Sequence, residues 1–205
     1  MDSQDGRTAG RYRRPMADAP PAAGPVGCYP GSFNPPTIAH LAVAEAAVAA
    51  AGLVRLDLVL SRVALGKEDL VHPTAEERAE VLRAVAARRP WLGVVVADAR
   101  LIAELAHGYD AVVVGADKWR QVIDPAWYGD DPAARDAAVA SLPRVLVAPR
   151  GDDRPAGVEL LDLADHHRDV SATSVRAGAP DAARWLLPEA ADAARRTGWW
   201  PLPPP

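Results

Sequence analysis

The chain is predicted to fold as an α/β domain built on a doubly wound parallel sheet, and three observations carry that expectation. Short apolar, β-branched runs recur at 26–29, 56–60, 92–96, 111–115, 145–148 and 158–163. Segments whose apolar residues fall at helical spacing separate most of them. The strands are mostly continuously apolar, the pattern of strands whose two faces are both covered.

In chain order, residues 1–24 are rich in Arg, Asp, Ala, Pro and Gly with almost no large apolar side chain. Such a segment cannot bury enough surface to offset its ordering entropy, so it reads as a disordered arm in which Arg11, Arg13 and Arg14 are solvated and Met16 is an alternative start. The domain is expected over 25–198. It begins with the strand 26–29 and an Ala-rich helix over 41–48, followed by the strand 56–60. The next helix, 75–87, has Ala79, Val81, Leu82 and Val85 on its apolar side and Thr74 and Glu77 spaced as a capping box. Beyond it come the strand 92–96, a short helix near 101–105, the strand 111–115, a helix over 133–140, and the strands 145–148 and 158–163. The Pro-rich tail, 199–205, opens with Trp199 and Trp200, whose rings are expected to pack on the domain.

With 205 residues and 49% hydrophobic content the chain can bury a real core. The single Cys28 excludes an internal disulfide framework and, lying in an apolar strand, reads as a buried structural thiol. No apolar run reaches the roughly 20 residues of a membrane span, and no signal-peptide core is present, so a cytoplasmic protein without membrane partners is expected. A net charge of -4 argues against nucleic acid as a partner. A small polyanion needs only a local cluster of cations.

Four blocks supply that cluster, each at the end of an expected strand, where ligands of doubly wound sheets bind. The first is Gly31-Ser32-Phe33-Asn34-Pro35-Pro36-Thr37-Ile38-Ala39-His40, which places a turn, a hydroxyl and a His at the start of a helix. Unpaired N–H groups and the helix dipole favour phosphate oxygens there, and Thr37 and His40 add side-chain donors. The second, 61–70, offers Arg62 and Lys67 as cations in a Gly-containing loop. In the third, Gly115 permits close approach and Asp117 can accept from ribose hydroxyls, with Trp119 and Trp127 following. The fourth sets Ser171 and Thr173 at a helix start with Arg176 one turn on. His166 and His167 are adjacent and point apart, which suits an exposed loop better than a metal pair.

Taken together these blocks resemble the nucleotidyltransferase superfamily that carries a His-x-Gly-His type motif, in the variant with Thr in the first position. Ser32-Phe33-Asn34-Pro35 with Thr37-x-x-His40 is similar to nicotinamide mononucleotide adenylyltransferases, Gly66-Lys67-x-Asp69-Leu70 resembles the loop of those of the eukaryotic type, and the Gly115-Ala116-Asp117 turn followed by Trp residues resembles pyridine-nucleotide adenylyltransferases, in which a Trp stacks on the nicotinate or nicotinamide ring. Tyr29-Pro30-Gly31-Ser32-Phe33 and Thr74-Ala75-Glu76-Glu77-Arg78 are closer to phosphopantetheine adenylyltransferases, whose Arg-Gly-Leu-Arg has no counterpart here. Ala39 replaces the Gly of the parent motif, and Val170-Ser171-Ala172-Thr173-Ser174-Val175-Arg176 resembles the superfamily's Ile-Ser-Ser-Thr-x-x-Arg.

The resemblance implies a Rossmann-like nucleotidyltransferase fold of the HUP type and transfer of AMP from ATP to a pyridine mononucleotide. His40, Lys67 and Arg176 would be catalytic. ATP would be held by Gly31, Ser32, Phe33, Thr37, His40, Gly115, Asp117, Ser171, Thr173 and Arg176, and the acceptor by Asn34, Lys67, Trp119 and Trp127. Magnesium would travel on the ATP phosphates without dedicated protein ligands. Phosphopantetheine as acceptor, CTP as donor, a non-catalytic nucleotide-binding protein and a homo-oligomeric assembly all stay open.

Overall fold

The computed structural model describes residues 23–62, 73–180 and 182–202. Nearly all of the expected arm, Lys67 with the rest of 63–72, and the last three residues of the tail lie outside them. Six strands, β1 (Val26–Pro30), β2 (Arg55–Ser61), β3 (Leu92–Ala97), β4 (Ala111–Gly115), β5 (Arg144–Ala148) and β6 (Glu159–Leu160), form one sheet in the order β3-β2-β1-β4-β5-β6. Every neighbouring pair is parallel. The helices are α1 (Ile38–Ala51), α2 (Ala75–Ala86), α3 (Ile102–Leu105), α4 (Ala116–Ile123), α5 (Pro132–Ala140), α6 (Asp165–Arg168), α7 (Ala172–Arg176) and α8 (Pro188–Thr197).

Period-two alternation divides the core between the two sheet faces. Leu56, Leu58 and Leu60 with Ala111 and Val113 meet Ala44 and Ala47 of α1, Leu82 and Val85 of α2 and Ala190 of α8. Val59, Val112, Val114 and Val147 meet Leu105 of α3 and Trp119 and Val122 of α4 on the other face. No described helix is long and apolar enough to cross a membrane.

Four elements differ from the expectation. His166 and His167, expected to point apart in an exposed loop, lie in the short helix α6 with their ring centroids 4.0 Å apart. Residues 116–123, of which the sequence reading gave only the Gly115-Ala116-Asp117 turn, form α4, because Ala116, Trp119 and Val122 recur every third residue and are all buried. α8 escaped notice because its buried residues, Ala190, Ala193 and Ala194, are too small to mark an apolar face. The strand expected over 158–163 pairs only at Glu159–Leu160, since it is the sheet edge, although Leu161 and Leu163 remain buried. The capping box of α2 is formed as expected: Glu77 N–H donates to Thr74 Oγ1 at 3.2 Å and Thr74 N–H to Glu77 Oε2 at 2.6 Å. Trp199 and Trp200 pack edge to face with ring centroids 6.0 Å apart, and Trp200 is buried in the core.

β1 lies between β2 and β4, so the chain leaves toward opposite edges of the sheet from this pair. That reversal opens a crevice beyond the carboxyl ends of β1 and β4, the usual ligand position of such sheets.

Candidate active site

The loop leaving β1 runs from Gly31 to Thr37 and is held from several directions. Phe33 is fully buried with a φ of 44°, a left-handed conformation that an aromatic residue adopts only when packing holds it there. Its ring meets Tyr29 and His40 edge-on, with centroids 5.3 and 5.1 Å away. A Cβ at Gly31 would lie 2.8 Å from the Phe33 ring, so only glycine lets that ring settle. Arg78, buried on α2, donates to the Ser32 carbonyl, and Arg176 of α7 donates to the Asn34 carbonyl and, at 3.1 Å, to Thr173 Oγ1.

Thr37 caps α1, and its backbone N–H donates to His40 Nδ1 at 3.0 Å while its hydroxyl lies 2.8 Å from the same nitrogen. With Nδ1 accepting from an amide, the ring proton belongs on Nε2. Burial lowers the pKa of Arg176, and burial together with repulsion from Arg176 lowers that of Arg78. A bound anion between these elements would relieve that cost. Burial raises the Tyr29 pKa, so its phenol stays protonated at neutral pH.

Two clefts meet at this loop. The first encloses about 850 Å³, solvent included, and is lined by Thr37, His40, Gly115, Asp117, Ser171, Thr173 and Arg176, with Ser32, Lys118, Arg150, His167 and Arg168. Arg150 joins its walls, reaching Asp117 Oδ2 at 3.1 Å and Ser171 Oγ at 3.2 Å. Ser171 also accepts from the Ser174 N–H at 3.3 Å, which caps α7. Burial and the neighbouring His166 lower the His167 pKa, so its imidazole is neutral at neutral pH.

The second cleft, about 800 Å³ on the same measure, is lined by Gly31, Ser32, Arg78, Arg100, Ile102, Lys118, Gln121, Trp127 and Tyr128 among others. Tyr128 is fixed by its hydroxyl, which donates to the Val122 carbonyl at 3.0 Å, and Trp127 is 37% exposed at the mouth. Ser32 and Lys118 line both clefts, so a molecule in one can touch a molecule in the other there.

Most of the residues expected to hold ATP thus converge on one cleft, drawn from the loop between β1 and α1, from α1, the end of β4, the start of α4 and the start of α7. Gly31 instead lines the second cleft, and Phe33 supports the loop from beneath without lining either. Two acceptor candidates are corrected. Trp119 is 7% exposed and packs in the core because it lies on the inward stripe of α4, leaving Trp127 as the acceptor-stacking candidate at the cleft, beside Tyr128. Asn34 is 1% exposed and turns inward, accepting from the Trp200 indole at 2.6 Å. Arg62, considered for phosphate contact, is paired with Glu76 and Asp98 at 2.5 and 3.0 Å.

Sequence reasoning missed Lys118, Arg78 and Arg150. Lys118 was discoverable from the three-residue apolar stripe of α4, which turns Lys118 and Gln121 toward the cleft. Arg78 was hidden behind its helix-start role. Arg150 carried no local signal, since its partners lie 33 and 21 residues away.

No curated protein matches the chain by sequence. Among solved structures it is similar to a Plasmodium falciparum nicotinic acid mononucleotide adenylyltransferase complexed with APC, at a TM-score of 0.62 and 12% identity over 85% of this chain and 96% of that one. The same enzyme complexed with NaAD gives a TM-score of 0.59 at 12% identity over 84% and 95% of the two chains. At that identity the likeness establishes a shared fold, the Rossmann-like one of nucleotidyltransferases. The family model described as cytidylyltransferase-like matches residues 28–178. That span runs from β1 through α7 and takes in every residue lining the two clefts, and the chain accordingly belongs to the cytidylyltransferase-like family.

Proposed function

We propose that the protein transfers the adenylyl group of ATP to the phosphate of nicotinate or nicotinamide mononucleotide and releases pyrophosphate. The observation that carries this reading is the meeting of a polar, cation-bearing cleft with an aromatic-mouthed one at Ser32 and Lys118. ATP occupies the first and the pyridine nucleotide the second, with its ring against Trp127. The fold shared with a nicotinic acid mononucleotide adenylyltransferase supports the choice of acceptor.

The reaction forms a bond between an acceptor phosphate oxygen and the α-phosphorus of ATP and breaks the bond from that phosphorus to the bridging oxygen of pyrophosphate. It needs positioning and charge stabilisation rather than a protein nucleophile. His40, whose Nδ1 is occupied by the Thr37 N–H, offers Nε2–H to a phosphoryl oxygen. Arg176, anchored on Thr173 and the Asn34 carbonyl, and Lys118, at the junction, neutralise charge that builds on the phosphates. Thr173 and Ser171 hold the β- and γ-phosphates, Asp117 and Gly115 border the ribose, and Lys67 keeps the charge role expected of it. Among the described residues no three His, Cys, Asp or Glu side chains converge as a metal cage. A magnesium ion brought in with ATP would supply charge neutralisation to the pyrophosphate, held by the nucleotide rather than by a protein carboxylate cage.

Pyrophosphate release from ATP or CTP is measured with nicotinate mononucleotide, nicotinamide mononucleotide and phosphopantetheine in separate reactions. Release from ATP that requires a pyridine mononucleotide is expected. Release driven only by phosphopantetheine, or only from CTP, overturns the assignment.

A further inference from the structure

The family match ends at residue 178, yet the phosphate-binding loop is held by residues beyond it. Thr37 pairs with Leu186 in an isolated antiparallel bridge, and the Leu187 N–H donates to the Pro36 carbonyl at 3.3 Å. Trp200, past the end of α8, donates from its indole nitrogen to Asn34 Oδ1 at 2.6 Å, and both residues are 1% exposed. Among the described residues the buried Asn34 amide nitrogen has no hydrogen-bond partner, so the bond to Trp200 is what orients this carboxamide. The carbonyl of the same residue accepts from Arg176, which lines the cleft.

We infer that Trp200 is a positioning residue for the reaction: by donating to Asn34 it holds the 31–37 loop so that Arg176 and His40 face the phosphates. This rests on the adenylyltransferase reading above. The indole sets the side chain of Asn34 from behind while Arg176 pulls on its carbonyl from the front. Three residues on, Thr37 presents the N–H that fixes the His40 ring. Releasing Asn34 lets the loop shift as a unit, and small displacements of this kind carry large rate penalties because the reacting groups must be held within about 0.5 Å.

Two variants separate positioning from packing. Trp200→Phe keeps most of the ring and removes the donor. Trp200→His keeps an N–H in the place of the indole nitrogen and leaves a larger cavity. Melting temperature should fall more in Trp200→His, whereas kcat should fall about tenfold in Trp200→Phe and less in Trp200→His. That inversion of order supports positioning. A kcat that follows the melting temperature, or a Trp200→Phe enzyme within twofold of wild-type kcat, overturns it. If Trp200→His does not fold, the Trp200→Phe result alone decides, by a lost kcat at a preserved melting temperature or by a preserved kcat.

An activity-independent measurement keeps this inference distinct from the proposed reaction. Nitrogen-15 NMR of His40 should show the Nε2–H tautomer in the wild type and a mixture of tautomers in Trp200→Phe. An unchanged tautomer overturns the inference even if no acceptor is found, and a changed one supports it in a protein whose substrate differs.

Discussion

Gly115 separates the demands of the fold from those of the ligand. It precedes α4 with φ −74° and ψ 159°, a conformation open to any residue, and a Cβ built there meets no atom of the described residues within 4 Å. The folded protein therefore has room for Gly115→Ala. Restricting the unfolded chain favours alanine by about 0.4–1 kcal/mol, and the poorer helix-capping of alanine offsets a similar amount. The melting temperature should then stay within about 4 °C of wild type for a domain of this size. The same methyl projects into the cleft assigned to ATP, where overfilling a fitted site costs about 1–3 kcal/mol. The ATP dissociation constant should rise roughly 5- to 150-fold. Thermal melting and calorimetric titration with a non-hydrolysable ATP analogue read the two effects separately. Wild-type affinity in Gly115→Ala refutes the placement of ATP against this strand end, and a collapse in melting temperature refutes the claim that the fold tolerates a side chain there.

Other outcomes follow from the same geometry. His40→Ala should lower kcat by about 10²–10³, as loss of a transition-state donor does, with an unchanged circular dichroism spectrum; steady-state kinetics at wild-type rate would remove His40 from the mechanism. Trp127→Ala should raise the acceptor KM about 2- to 12-fold at constant melting temperature. Trp119→Ala should instead cost about 3–5 kcal/mol of stability, seen in urea unfolding, because its ring is core. His167 has a pKa lowered in the folded state, so unfolding takes up a proton and the stability from its neutral form is complete above the unfolded pKa of roughly 6.5. That stability is lost as pH falls from there through the folded value. Melting temperatures on the acid side should decline less steeply in His167→Gln, and identical slopes would exclude His167 as the source.

What the sequence by itself determined is whatever is written within a short window. The parallel α/β class follows from apolar runs of strand length alternating with helical spacing. The Thr37 and His40 pair is local chemistry, three residues apart across a helix start, and the structure joins them directly. The capping box of α2 is equally local. α4 was legible in its three-residue stripe and was obscured by the glycine before it, and with α4 went the difference between Trp119, which faces the core, and Lys118, which faces the cleft.

Tertiary structure alone decided the remainder. Arg176 meets Asn34 across 142 residues, Trp200 meets it across 166, and Arg78 meets Ser32 across 46. None of these pairs has a periodic or spacing signal, because each contact arises only after parallel strands bring distant loops to one end of the sheet. Reversal of strand order at the parallel pair β1 and β4 sets those loops side by side, and burial then determines which polar side chains face the clefts and which, like Asn34, turn inward to hold the loop.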